Sequence, residues 1–162
     1  MAHLHRSVAT LRIMGDDVLP ERVTRLLGYE PTHSLTKGQI IRGRITGHER
    51  VARIGMWSLE ATDCEPEDLD KQVAELLDKL TQDLRVWASL SEQFRIDLFC
   101  GFFMEESNEG VSISAKTMLA LGQRGIEIGL DIYAPTQELK GEDPCPCGSG
   151  KTYDECCAPK AK

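Results

Sequence analysis

No apolar run in this chain approaches the roughly 20 residues that a membrane-crossing helix needs. The opening, MAHLHRSVATLRIMGDD, lacks the succession of charged head, apolar block and small-residue cleavage site that marks a secretory leader. A cytoplasmic setting is therefore expected, where thiols stay reduced. Histidine is scarce, and His3, His5, His33 and His48 form no ligand spacing. There is no G-x-x-x-x-G-K-[ST] phosphate loop, and no local Ser–His–Asp or Cys–His–Asp set suggests itself. Positive charge is short as well: the net charge is -7. Residues 59–109 carry four Lys/Arg against fourteen Asp/Glu. An acidic middle of that kind excludes a protein that wraps nucleic acid all round.

What is present suits a soluble core. The hydrophobic share is 41% and the charged share 28% of 162 residues, enough for one domain of ordinary size and a small appendage. Residues 5–15 alternate as a strand, with Ala9, Leu11 and Ile13 on one side. Pro20 and Glu21 suit the first turn of a helix that ends at Gly28. Residues 37–47 and 50–61 read as extended pieces. Leu69, Val73, Leu76, Leu77, Leu80, Leu84, Trp87 and Leu90 recur at steps of three and four, which predicts one long helix over 65–93. Residues 94–104 alternate again. Residues 111–113 read as a short strand, Ser114 as the cap of a further helix, and GIEIGLDIY (125–133) as a half-buried strand. The order predicts an α+β fold: a largely antiparallel sheet with helices on one face. A Leu-Gly pair ending both RLLG (25–28) and LALG (119–122) raises a duplicated, ferredoxin-like arrangement. The expected layout is a domain over 1–133, a linker over 134–143 and a tail over 144–162.

The tail holds four of the six cysteines: Cys145, Cys147, Cys156 and Cys157, spaced C-x-C-x8-C-C. Four thiolates suit a tetrahedral Zn2+ site, and a closed shell leaves no position for catalytic water, so the expected role is structural. Iron–sulfur ligation is the main competitor, although its common spacings differ. Disulfides fit poorly, because neighbouring cysteines bridge only with strain. Pro146 stiffens the first pair, and Gly148 and Gly150 permit a tight turn. A segment this short cannot bury enough apolar surface to fold alone, so metal binding would supply its folding free energy.

Two resemblances follow from these residues. LRIMGDDVLPERVTRLLGYEPT, GMWSLEA and GIEIGLDIY are similar to the DUF4279 domain, a bacterial family of unknown function. That likeness implies a single cytoplasmic α+β domain and lends no catalytic role to any residue. PCPCGSGKTYDECC resembles the SEC-C motif, the zinc-binding tail of the SecA translocase motor and of many unrelated bacterial proteins. By that likeness Cys145, Cys147, Cys156 and Cys157 are the metal ligands. In SecA the tail engages the chaperone SecB and phospholipid or ribosome surfaces with the help of lysines. Here Asp154 and Glu155 stand where basic residues are usual, so the resemblance does not carry those partners over.

Other candidates are weaker. Arg42 and Arg44, with Lys37, His48, Arg50 and Arg53 nearby, could form a basic ribbon for RNA, but the solvated face of a strand pair is the preferred reading. Asp16 and Asp17 read as turn and cap residues rather than a catalytic pair. Trp57 and Trp87 read as core anchors, Cys64 as a loop thiol and Cys100 as a buried strand residue. The leading functional expectation is a non-enzymatic interaction or immunity-like protein whose zinc-stabilised tail docks a protein partner. The alternatives are an RNA- or ribosome-associated factor using 37–53, and an enzyme with a site in a body cleft.

Overall fold

A computed structural model describes residues 4–43, 47–135, 141–145 and 147–157. The central strand is the first one. In β1 (Arg6–Gly15), Ser7, Ala9, Leu11 and Ile13 are buried and alternate with half-exposed residues, the period-2 pattern of a strand with one covered face. β1 pairs antiparallel with β5 (Gly55–Glu60) on one side and β6 (Arg95–Phe103) on the other. Leu11 lies opposite Leu59 and Leu98, and Ile13 opposite Trp57 and Ile96. A short β2 (His33–Leu35) extends the sheet beyond β5, and β7 (Glu127–Tyr133) runs parallel to β6, giving the order β2-β5-β1-β6-β7. β3 (Ile40–Arg42) and β4 (Glu49–Val51) form a separate antiparallel pair. The α+β, mostly antiparallel expectation holds. The duplication does not. β1 leads through α1 (Pro20–Leu27) to β2, from which β5 separates it in the sheet, whereas β6 leads through α4 (Ala115–Gly122) to β7, its direct parallel neighbour. The two halves are therefore not copies.

The helices cover the face that carries Leu11, Ile13, Trp57, Leu59, Ile96, Leu98 and Phe102. α1 begins with Pro20 as its first residue; Leu19 precedes it and offers no side-chain cap. Gly28 ends it at φ 80, a left-handed conformation that costs glycine little, with its N–H on the Thr24 carbonyl at 2.8 Å. The single long helix expected over 65–93 is instead two, α2 (Leu69–Asp78) and α3 (Leu84–Gln93). Side chains end one helix and start the next. Gln82 donates to the Leu77 and Leu80 carbonyls at 2.7 and 2.8 Å, and Asp83 accepts the Arg85 N–H at 2.9 Å as the α3 cap. The heptad-like stripe runs through both, so periodicity alone conceals the break. Residues 111–113 join no strand, and Ser114 caps α4 as expected, accepting from Thr117 N–H at 3.2 Å.

Several polar groups in the core are matched, although the buried Arg124 Nε has no hydrogen-bond partner among the described residues. Gln72, fully buried, accepts from the Ser7 hydroxyl at 2.8 Å and donates to the Ser7 and Thr62 carbonyls at 3.1 and 2.9 Å. It thereby fastens the loop before α2 to β1. Trp57 and Trp87 are core residues, as expected, and their indole N–H groups reach Thr24 Oγ1 at 3.1 Å and the Thr81 carbonyl at 2.9 Å. Cys100 is buried in β6, where desolvation pushes its thiol up to about 12. Cys64 is a free thiol in the loop between β5 and α2, as expected, but a buried one, because its backbone exchanges hydrogen bonds with Ser7.

The carboxylate of Glu75 sits beside Lys79 Nζ at 2.8 Å and accepts from Thr62 N–H at 3.1 Å. The Lys79 hydrogen bond above all, then Thr62, holds it below its ordinary 4.5 against the cost of burial. Asp70 is lowered as well. Burial is the largest single influence and opposes this, but hydrogen bonds from Thr117 and Ser114 together outweigh it. A folded-state value below the unfolded one gives stability that is complete above the unfolded pKa and lost as the pH falls through the folded one. Body stability, followed by fluorescence of Trp57 and Trp87, should therefore decline as the pH drops below about 4.5, and Glu75→Gln should flatten that limb. An acid limb of unchanged slope in the variant would refute the assignment.

Candidate metal centre

The tail folds by short-range backbone pairing. Cys145 N–H donates to the Lys151 carbonyl at 2.9 Å, Gly148 N–H to the Cys145 carbonyl at 3.1 Å, and Tyr153 N–H to the Asp143 carbonyl at 2.8 Å. The turn needs left-handed backbone at Gly148 (φ 76) and Gly150 (φ 75). It leads into a one-turn helix, α5 (Tyr153–Cys156), whose last residue and C-cap are Cys156 and Cys157. Cys145 and Cys147 thus come from the turn and Cys156 and Cys157 from the helix end. Pro146 lies outside the described residues, as do half of the expected linker (136–140), Arg44 and His3.

The four sulfurs converge. Cys145 and Cys147 Sγ are 3.2 Å apart, Cys147 and Cys156 3.4 Å, and Cys156 and Cys157 3.7 Å, and all four lie within 4.8 Å of one another. A tetrahedron of sulfurs around Zn2+ at about 2.3 Å has edges of about 3.8 Å. The observed spacing matches that size, and a set of four thiols offers the soft, anionic donors that such an ion takes. Ser149, which the cysteine spacing did not single out, takes part: its hydroxyl lies 3.2 Å from Cys156 Sγ. Hydrogen bonding from Ser149, then from Cys145 and Cys156, pulls the Cys147 thiol down to about 6. Cys157 is pushed up to about 12 by its contacts with Cys145, Cys156 and Cys147. Ser149 also pulls Cys156 down, but Cys147 and Cys145 together raise it. Crowded thiols share few negative charges among themselves; a dication relieves that repulsion by taking the place of the protons.

The other sequence candidates separate. Arg42 pairs with Glu49 at 2.7 Å and Lys37 with Asp16. Two cations of the basic stretch are thus balanced, and one member of the Asp16–Asp17 pair is engaged. Arg50 and Arg53 line an open groove of about 930 Å3 with Leu35, Ile41 and Met56. His5 lies 3.5 Å from both Glu65 and Glu105, and His33 3.4 Å from Glu60. On the sheet face opposite the helices, Arg12 donates two hydrogen bonds to the buried Asp97 at 2.7 and 2.8 Å and stacks over Phe99. No sequence pattern announces that pair, because its members lie on distant strands.

Fold and site together define an α+β domain followed by a cysteine-rich knuckle suited to metal binding. The chain belongs to the family described as a domain of unknown function (DUF4279), whose model matches residues 3–135. The SEC-C motif matches residues 143–159. No curated protein and no solved structure matches the chain.

Proposed function

We propose that Cys145, Cys147, Cys156 and Cys157 hold one structural zinc ion, and that the tail shaped by it docks a protein partner for a non-enzymatic body. The chain then divides into a body (1–133), a linker (134–143) and the tail (144–162). The observation that carries this reading is the convergence of the four sulfurs at the spacing of a zinc–thiolate tetrahedron. With all four positions taken by protein, the ion would orient the turn and α5 and do no chemistry. Half-buried Tyr153, on the same short helix, gives the knuckle an aromatic anchor of the kind found at interface centres.

Affinity purification from the native host, with elemental analysis of the same sample, tests both parts. About one zinc per chain is expected, together with a partner that the Cys156→Ser chain fails to retain. Protein without metal after mild, non-chelating reduction would overturn the zinc assignment, as would iron with matching sulfide. Partners retained equally by the variant would remove the tail from docking.

A further inference from the structure

β7 closes one end of the main sheet, and among the described residues no strand pairs with its outer edge. The sequence predicts its apolar side, Ile128, Leu130 and Ile132, to be half-buried. Only Ile128 packs against the core; Leu130 is 48% exposed and Ile132 59%. Most natural edges are shortened, bulged or studded with lysine to prevent pairing. β7 is seven residues long and has no proline, lysine or arginine.

We infer that β7 is a self-pairing edge: two copies of the chain join antiparallel along it, about a two-fold axis at Leu130, into one continuous sheet. The backbone is correctly disposed. The Tyr133 carbonyl accepts from Met104 N–H on the β6 side. Backbone groups alternate along a strand, so those of Ile128, Leu130 and Ile132 point outward. Antiparallel pairing of identical edges generates the two-fold symmetry that closed dimers use.

The charges select the register. With Leu130 opposite Leu130, Ile128 faces Ile132, Glu127 faces Tyr133, and Asp131 faces Gly129, which has no side chain to oppose it. Moving the copies by two residues one way sets Asp131 against Asp131. Moving them the other way sets Glu127 against Asp131. Both place like charges directly opposite, which destabilises pairing. A one-residue slip would put the two helix layers on opposite sides and split the apolar stripe. The Asp131 carboxylate is already occupied by the Tyr133 hydroxyl at 2.7 Å, so it accepts a glycine neighbour without needing a cation.

Light scattering and sedimentation of the full, metal-replete chain test this. The wild type should have twice the 18.0 kDa chain mass. Leu130→Lys and Leu130→Glu should each be monomeric, with dimer affinity weakened about 100-fold or more by like charges meeting on the axis. Mixing the two variants should restore a dimer, because the axis then sets lysine against glutamate. Circular dichroism checks that each variant folds. If either does not, Ile132→Glu, at a still more exposed position, should give the monomer. A monomeric wild type across the micromolar range overturns the inference. So does a dimer that survives in the folded Leu130 variants, or a mixture of them that stays monomeric.

Discussion

With the proposed zinc ion in place, a strong chelator should unfold the tail and leave the body standing. Few forces within the chain itself hold the tail together. Its described structure is a handful of backbone hydrogen bonds, one turn of helix and two left-handed glycines. Ordering each residue costs about 1–2 kcal/mol of backbone entropy, and a short helix in isolation does not offset that. Structural zinc supplies about 10–16 kcal/mol in comparable thiolate sites at neutral pH, enough to reverse the balance. Hydrogen exchange should show the Cys145, Gly148 and Tyr153 amides losing protection on chelation, while amides of β1 and β6 keep theirs. Thiol labelling should rise by the four tail cysteines, because Cys64 and Cys100 are buried in the body. Simultaneous loss of protection in β1 would show that tail and body form one cooperative unit. Unchanged tail protection would show that the ion is not what holds it.

Trp87→Ala should be the most damaging single change in the body. The side chain is fully buried, and its indole N–H holds the Thr81 carbonyl at 2.9 Å. Thr81 in turn donates its N–H to the Leu27 carbonyl at 2.9 Å. One ring thus supports the α2–α3 break and, through Thr81, its attachment to the end of α1. Removing such a ring costs about 3–5 kcal/mol, out of a total stability of about 5–15 kcal/mol for an ordinary domain. Trp87→Phe keeps most of the packing and loses the donor, for about 1–2 kcal/mol. Urea titration would check the order, with Leu84→Ala, on the exposed side of the same helix, as the control. A Trp87→Ala midpoint within error of that control would refute the assignment.

β1 was legible because it has one wet and one dry face, and β6 because its residue types alternate, although Asp97 and Gly101 on its second face are buried as well. β1 and β6 alternate, and their boundaries follow from that alternation. The α2–α3 break was not, since Leu80 and Leu84 keep the helical stripe going while Gln82 and Asp83 interrupt the backbone. β2 was missed because three residues, His33 to Leu35, are too few to show a period. β7 was recognised as a strand, but alternation does not say which neighbour covers the apolar side. At the candidate metal centre the grouping of the four cysteines was legible by type and spacing. Ser149 was not, because its contact with Cys156 exists only once the turn has closed. The Arg12–Asp97 pair needed the register of β1 on β6 to become visible.

The first strand lies in the middle of the sheet, and this imposes an order on synthesis. Arg6 lies opposite Phe103, and Leu11 between Leu59 and Leu98. Once translated, β1 must therefore wait for its second partner until β6 has followed it. Contacts this far apart along the chain slow folding and leave apolar segments uncovered meanwhile. A nascent chain halted before residue 95 would still be open on one flank of β1, whereas one halted after 135 would have every strand of the body in hand.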